Sequence, residues 1–199
     1  MLQFIRRRRW IWIPLLIVAL LLLPLIRPTI FLMRIAMLDR DERRPLPPGF
    51  ADDVSRLNVT HVAELWNMPN GSDAEQQLRD LLARARQLKL HVSIAGARHS
   101  MGGQTIYADG IQINMLPYHQ MSLDEQQNVL QVQTGALWAD VIPYLDSHQR
   151  SVSVMQASNS FSVGGSLSVN CHGWQPNRPP IASTVDSFRI MLADGSILR

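Results

Sequence analysis

Two stretches of small residues contain the side chains whose types and spacing could do chemistry. The first is Val92–Gln104, with the sequence VSIAGARHSMGGQ, in which an apolar strand leads into a turn that carries a histidine, His99. Small residues let backbone N–H groups come close to a phosphate, and Arg98 can add a charge-assisted hydrogen bond. This stretch is interpreted as an anion-binding loop, with an ordinary turn as the competing interpretation.

The second stretch is Ser162–Gly173, with the sequence SVGGSLSVNCHG. It is poor in charge, and it offers backbone, hydroxyl and amide donors from Gly164, Gly165, Ser166, Ser168 and Asn170. Most glycine-rich segments are only turns, so either stretch alone is a weak signal. Two such stretches in one chain, separated by plausible α+β structure, indicate a shared ligand site.

Several other chemical signatures are absent from the sequence. The first turn is not the G-x-G-x-x-G dinucleotide fingerprint, and no Walker A loop, G-x-S-x-G elbow or H-E-x-x-H motif occurs. The single cysteine, Cys171, excludes an internal disulfide and a cysteine-based zinc centre, so no metal site is predicted. From Ala51 onward acidic residues outnumber basic ones, which argues against nucleic-acid binding.

The elements that must position these stretches begin with a helix that opens at Ser72. Ser72 and Glu75 fit an S-x-x-E capping box, and leucines and alanines then repeat at helical spacing. Basic residues such as Arg79 and Arg86 lie on the other side of this helix and are predicted to face solvent. A second helix is predicted over Leu137–Ser147.

Strands are predicted between and around the helices, which gives an α+β chain. The criteria are β-prone composition, alternation of apolar and polar residues, and flanking turn residues. The predicted strands are Leu57–Val62, Leu90–Ala95, Ile111–Met115 and Asn128–Gln133, followed by a hairpin over Ser187–Leu198.

The N-terminal sequence predicts a segment that inserts into a membrane. Four arginines, Arg6–Arg9, precede the uncharged apolar run Trp10–Ile26, which suits a short membrane-spanning helix. The positive-inside rule places the arginines in the cytoplasm and the remainder in the periplasm or outside the cell. A cleaved signal peptide is the alternative, but no small-x-small cleavage site follows. The predicted parts are a cytoplasmic basic segment (1–9), a transmembrane helix or signal anchor (10–26), a juxtamembrane linker (27–52) and a folded domain (53–199).

The two stretches together resemble a known pair of motifs. Gly96–Ser100, followed by Met101–Gln104, is similar to the G-x-G-H-S loop of the FAD-binding domain in the vanillyl-alcohol-oxidase / p-cresol-methylhydroxylase family. Gly164–Gly173 is similar to the later G-G-x-x-x-x-x-x-H-G segment of that domain. The resemblance covers roughly Leu57 to Arg199. It implies an α+β, two-subdomain FAD-binding fold of the p-cresol methylhydroxylase type, here incomplete and preceded by a transmembrane helix.

The resemblance also implies a cofactor and its ligands. FAD would contact Ala95, Gly96, Ala97, Arg98, His99, Ser100, Met101, Gly102, Gln104, Ser162, Gly164, Gly165, Ser168, Asn170 and His172. The family's first-loop histidine is often bonded to a flavin methyl group, and that position is His99; a plain loop histidine bonded to the backbone is the alternative. In family members whose flavin is attached twice, a cysteine forms the second bond. Ser158 lies at about the position of that cysteine, so no second bond is expected here. His172 lies near the flavin or holds its own loop.

The activity implied is oxidation at a C–OH group of a sugar, lactone or related alcohol, with electrons passed to oxygen or a respiratory acceptor. The family's catalytic base and substrate pocket fall beyond the position of Arg199, so no catalytic residue is named. Because the chain stops directly after a predicted hairpin strand, a non-catalytic flavin-binding or membrane-tethered module is the alternative. A third hypothesis keeps the fold but reverses the chemistry, as in the sugar-nucleotide reductase that resembles this family.

Overall fold

The computed structural model describes the backbone of residues 2–42 and 45–199 and the side chains of residues 14, 16–37 and 45–199. The chain forms two compact units, Met1–Pro45 and Leu46–Arg199, which are described separately below.

The first unit is a single helix, α1 (Leu2–Glu42). Its most apolar window, Leu16–Met37, has 22 residues and a mean hydropathy of 2.4, and none of it is buried. By length and composition this window is sufficient to cross a membrane. It lies further along the chain than the predicted span 10–26, and the linker predicted from residue 27 is helical as far as Glu42. Arginine is a good helix former, so Arg27 does not end the helix.

Three prolines lie inside this helix, at Pro14, Pro24 and Pro28. Prolines are tolerated in membrane-spanning helices. Thr29 Oγ1, beside the last of them, donates to the carbonyl of Leu25 at 2.6 Å. The side chains of the predicted cytoplasmic segment 1–9 lie outside the described residues.

A three-stranded parallel sheet organises the first half of the second unit. Its strand order is β3-β5-β4, and residue Ile111 of the central strand pairs with Glu64 on one side and Val92 on the other. An antiparallel pair, β1-β2, precedes this sheet. The elements are β1 (Phe50–Ala51), β2 (Thr60–His61), β3 (Glu64–Asn67), α2 (Ala74–Leu88), β4 (Val92–Ala95) and β5 (Ile111–Asn114).

Helix α2 packs on one face of this sheet through its apolar residues. Leu81 and Ala85 of the helix, both buried, contact the buried Ile111 and Ile113 of the central strand. A strand buried in this way holds its end rigidly, because close-packed side chains leave little room for displacement. The turn of the first stretch begins where β4, the neighbour of this central strand, ends.

Two predictions in this region are wrong in detail. The strand expected over Leu57–Val62 is limited to Thr60–His61, because the preceding residues form turns around a buried carboxylate described below. The capping box does not form: α2 begins at Ala74, and the Asp73 side chain caps no backbone group but accepts from Gln77 Nε2 at 2.6 Å. Strand β3 was missed because its exposed positions are mixed in polarity.

The second half contains an antiparallel pair and two helices around their own buried cluster. Ala136, Trp138, Val141, Leu145 and Ile181 form that cluster. The elements are β6 (Met121–Asp124), β7 (Val129–Val132), α3 (Trp138–Ser147), α4 (Val163–Ser168), a 3₁₀ turn (Ile181–Thr184), β8 (Ile190–Met191) and β9 (Ile197–Leu198).

The predicted C-terminal hairpin is present, and it is held by arginines that were expected to face solvent. Strands β8 and β9 pair antiparallel across a turn in which Gly195 has a φ of 88°. Arg79 Nε donates to the Gly195 carbonyl at 3.0 Å, and Arg86 donates to the carbonyl of Ala193. Arg189 pairs with the Glu75 carboxylate at 2.8 Å. The polar face of α2 therefore fixes the hairpin.

Candidate functional site

The two stretches of small residues meet at Ser162. The side chain of Ser162 is buried, and its Oγ accepts from the backbone N–H of Ala97 at 3.4 Å and from that of Gly165 at 3.3 Å. Gly96 allows this approach, since a Cβ at that position would lie 2.0 Å from Ser162 Oγ. The structure thus joins the turn after β4 to the start of α4.

His99 is held by side chains of the residues just before Ser162. Its Nε2 lies 3.0 Å from Ser160 Oγ, and its ring stacks on Phe161 with centroids 4.2 Å apart and an interplanar angle of 20°. The described partners of this ring are therefore side chains rather than the backbone. Two contacts of different kinds define the position and the tilt of the ring.

The backbone of the first turn contains hydrogen-bond donors that have no acceptor among the described residues. Within residues 45–199, the four successive N–H groups from Arg98 to Met101 donate to no protein acceptor. Arg98 has a φ of 57° and Gly103 has a φ of 68°, so the chain curls around these groups. In proteins, successive unpartnered N–H groups that converge bind phosphate or carboxylate groups.

The side chain of Arg98 adds positive charge at this turn. Its Nε is buried without a hydrogen-bond partner in the described residues. Burial, together with the charge of Arg56, lowers the pKa of the Arg98 guanidinium from its usual value. A half-buried cation near a second cation is stabilised when an anion binds beside it.

Asp53, which the sequence reasoning missed, anchors this turn. The carboxylate is 3% exposed, and its Oδ2 accepts from the Gly103 N–H at 2.8 Å and from Ser100 Oγ and Asn58 Nδ2, each at 3.3 Å. Burial raises the pKa of Asp53, but hydrogen bonds from Ser55, Gly103 and Asn58 outweigh it and lower the pKa to about 2. The only signal for this role was an aspartate at the predicted start of the domain.

Replacing Asp53 with asparagine is expected to destabilise the domain by about 2 kcal/mol at neutral pH. The amide N–H of asparagine would face the N–H and O–H groups that now donate to the Asp53 carboxylate. The folded pKa of about 2 lies below the ordinary 3.8, so this stabilisation is complete above 3.8 and is lost as the pH falls towards 2. Urea unfolding across that pH range measures both effects. The exposed Asp146→Asn variant is the control, and equal pH dependence in wild type and Asp53→Asn would contradict this role.

Several donors expected from the second stretch, those of Gly164, Gly165 and Ser168, are used within the chain. The Gly164 N–H donates to the Thr134 carbonyl at 2.9 Å, and the Gly165 N–H donates to Ser162 Oγ. Ser168 Oγ donates to the Gly164 carbonyl at 2.8 Å, and Asn170 Oδ1 accepts from a backbone N–H. The first half of the stretch forms helix α4, with Ser162 as its N-cap, which the sequence reasoning did not predict. Gly164 and Gly165 therefore contribute close packing rather than free backbone donors.

Three further predicted residues lie at the margin of this arrangement. Met101 is 77% exposed, and Gln104 accepts from the Gly102 N–H through Oε1 at 3.0 Å. His172 is exposed, and its Nδ1 lies 3.3 Å from the Gly173 carbonyl oxygen. In the described part of the chain no hydrogen bond joins His172 to the first turn. The structure therefore brings His99, and not His172, to the junction.

A buried polar network, also missed from the sequence, fixes the segment that holds His99. Trp138 Nε1 donates to Ser166 Oγ at 2.8 Å, and Ser166 Oγ donates to Gln156 Oε1 at 2.8 Å. Cys171 Sγ lies 3.1 Å from the same Gln156 oxygen. The amide of Gln156 then donates from Nε2 to the Ser158 carbonyl at 2.7 Å. Satisfied buried networks of this kind restrict the backbone to one arrangement.

The sequence of the chain matches a known protein family and two curated enzymes. Residues 73–199 match the family described as FAD binding domain. L-gulonolactone oxidase of Mus musculus is 29% identical over 123 residues, and that of Bos taurus is 28% identical over 124 residues. These matches cover 61% and 62% of this chain but only 28% of each enzyme, so the chain spans little more than a quarter of their length.

Solved structures share the fold of the second unit. Two structures of cholesterol oxidase from Brevibacterium sterolicum, one of them a histidine-to-alanine variant, give TM-scores of 0.52 and 0.51 at 19% identity. Each match covers 65% of this chain and 27% of the oxidase, and at this identity it shows the fold alone. The expected fold of the p-cresol methylhydroxylase type is confirmed at this level. The chain belongs to the FAD-binding domain family of the vanillyl-alcohol-oxidase / p-cresol-methylhydroxylase flavoproteins, whose cofactor is FAD.

Proposed function

We propose that this chain is the flavin-binding portion of a membrane-anchored FAD-dependent oxidoreductase, in which the turn Ala95–Gln104 holds the FAD diphosphate. The observation that carries this proposal is the row of four unpartnered N–H groups from Arg98 to Met101. A diphosphate brings several anionic oxygens to one place, which suits a concave row of donors. The buried, unpartnered Nε of Arg98 supplies charge beside them.

The residues of the second stretch have a different part in this proposal. Gly164 lets α4 pack closely on Thr134, and Ser162 joins α4 to the turn by accepting from the N–H groups of Gly165 and Ala97. Ser168 and Asn170 stabilise α4 and the segment after it. The second stretch therefore holds the first in its binding conformation. The two buried clusters of the unit are consistent with a fold of two subdomains.

The reaction proposed is oxidation at a carbon that bears a hydroxyl group. FAD, when bound, supplies the hydride-accepting chemistry, and the protein binds it, orients it and tunes it. The relatives are oxidases named for gulonolactone and for cholesterol, which supports a sugar, lactone or related alcohol as the substrate. Oxygen or a respiratory carrier is the proposed electron acceptor.

Titration of the purified 199-residue chain in detergent tests this function. Because the turn is built for a diphosphate, FAD is expected to bind more tightly than FMN, which carries a single phosphate. A variant at an exposed position of α2, Gln87→Ala, is the control and should bind FAD as wild type does. If flavin binds but no sugar, lactone or alcohol reduces a dye acceptor, the chain is the non-catalytic flavin-binding module. A chain that binds no FAD refutes the proposal.

Helix α1 is proposed as the membrane anchor, with the second unit on the extracytoplasmic side. The fully exposed apolar window Leu16–Met37 supports an anchor, and the arginines before it support the orientation. We expect the chain to stay in the membrane fraction after carbonate extraction and to be digested by protease added from the extracytoplasmic side. Release as a soluble chain that lacks its first residues would instead show a cleaved signal peptide.

A further inference from the structure

We propose that Arg56 is a further residue of the anion site at the first turn, and that Arg56 and Arg98 together bind a diphosphate group. Under the proposed function this group is the diphosphate of FAD, so the inference rests on that function for the identity of its ligand. Arg56 lies outside both stretches of small residues, and it precedes residues 73–199, which match the family. The inference therefore adds to the site a residue from the start of the second unit.

The segment that carries Arg56 is joined to the first turn by direct hydrogen bonds. The Val54 N–H donates to the carbonyl of Arg98 at 2.9 Å. The buried Asp53 carboxylate accepts from the Gly103 N–H at 2.8 Å, at the other end of the turn. The Arg56 N–H donates to the Asp53 carbonyl at 3.2 Å. Arg56 is thus held two residues away from a backbone contact with Arg98.

Neither guanidinium has an anionic partner within residues 45–199. In that part of the chain, neither Arg56 nor Arg98 forms an ion pair or donates a side-chain hydrogen bond. The carboxylates closest to Arg56 in sequence, Asp52 and Asp53, are buried and accept instead from groups that include backbone N–H groups and the Asn58 side chain. The positive charge at this end of the turn is therefore not neutralised by the described residues.

The two arginines are close enough to repel each other. Both are half-buried, and burial together with the charge of Arg56 lowers the pKa of the Arg98 guanidinium. The buried Nε of Arg98 has no hydrogen-bond partner in the described residues, which costs free energy. An anion bound between the guanidinium groups would remove both the repulsion and the unpaired donor. This balance of charges favours a ligand site over a structural role for the pair.

The donors at the turn fit a diphosphate. In FAD each of the two phosphate groups carries one negative charge, so each arginine can pair with one of them. A guanidinium group donates two parallel hydrogen bonds to a phosphate, which fixes its orientation. The N–H groups of Arg98–Met101 supply further donors beside the arginines. A carboxylate carries a single charge and would leave the arginine pair with a net positive charge.

Titration of the 199-residue chain in detergent with FAD and with riboflavin tests this role. Arg56→Gln is expected to weaken FAD binding about tenfold, as the loss of one charge-assisted hydrogen bond implies. Riboflavin has no phosphate, so its affinity should not change. Arg56→Lys keeps the charge and should restore much of the FAD affinity. Arg150→Gln is the matched control, because it removes an exposed arginine that donates to Asn128, and it should bind FAD as wild type does.

Urea unfolding separates ligand binding from a structural role. Without ligand, Arg56→Gln is expected to unfold at the same urea concentration as wild type or at a higher one, because its repulsion of Arg98 is removed. Inorganic pyrophosphate, added at fixed ionic strength, should stabilise wild type and the Arg150→Gln control, since a ligand that binds only the folded state raises its stability. It should stabilise Arg56→Gln much less.

The outcomes distinguish this inference from the proposed function. If Arg56→Gln binds FAD as tightly as wild type, the inference is overturned and the proposed function stands. A variant that unfolds at lower urea concentration without ligand would make Arg56 a structural residue and would also overturn the inference. If wild type binds no FAD but pyrophosphate stabilises it through Arg56, the proposed function fails, and the two-arginine site stands with free diphosphate as its ligand.

Discussion

Replacing Gly96 with alanine is expected to lower FAD affinity by about tenfold or more and to destabilise the domain by about 1–3 kcal/mol. The new Cβ would lie 2.0 Å from Ser162 Oγ and 3.0 Å from Ser162 Cβ. Ser162 is buried and caps α4, so it cannot turn away without losing its bonds to Ala97 and Gly165. Fluorescence titration with FAD measures the affinity, and urea unfolding measures the stability.

A second substitution at the contact makes this prediction specific. Ser162→Gly removes both atoms that the new methyl group meets, and glycine is a tolerated N-cap that costs only a few tenths of a kcal/mol. The double variant Gly96→Ala/Ser162→Gly is therefore expected to bind FAD more tightly than Gly96→Ala alone. Unchanged affinity in the double variant would show that the close approach of the two stretches does not control binding.

Gly135→Ala is expected to be the most destabilising single substitution considered, at about 3 kcal/mol or more. Gly135 is buried between β7 and α3, and a Cβ there would lie 1.8 Å from the Met115 carbonyl oxygen and 2.6 Å from that of Tyr118. Both atoms are backbone, and the Gly135 N–H donates to the Tyr118 carbonyl at 2.8 Å. Relief of the clash therefore requires the turn itself to move. Urea unfolding of the purified chain measures the loss.

Gly71→Ala is the matched control for this substitution. A Cβ at Gly71 would meet only the exposed side chain of Asp73, which can rotate away. The control should unfold close to wild type, within about 1 kcal/mol. Equal stabilities for the Gly135→Ala and Gly71→Ala variants would contradict the packing described for the turn after β7.

The sequence was informative about the site where residue type alone restricts the backbone. Small residues flank the turn on both sides, so the composition around Gly96 and Gly102 predicted it. The strand that leads into it was visible because β-prone residues such as Val92 and Ile94 precede it. The similarity of two ordered motifs then predicted that Gly96 and Gly164 belong to one site, and the structure joins their segments at Ser162.

The sequence could not show the role of a backbone or side-chain group when that role depends on the group's hydrogen-bond partner in the fold. The donors of Gly164 and Gly165 were expected to be free, yet they are used by Thr134 and Ser162, because a helical turn forms there. Asp53 is one of many aspartates in the sequence, and only burial against Gly103 distinguishes it. Likewise, Arg79 resembles any charge on an outer helix face until the C-terminal hairpin packs beside it.

Hydrogen exchange of the 199-residue chain with and without saturating FAD tests the central claim, that the first turn binds the diphosphate. In the absence of FAD, the amides from Arg98 to Met101 should exchange rapidly, because none donates to a described acceptor. With FAD bound, these four amides are predicted to become protected, while those of Gly164 and Gly165, already hydrogen-bonded, change little. If flavin absorbance shows that FAD is bound while these four amides exchange as before, the claim is contradicted.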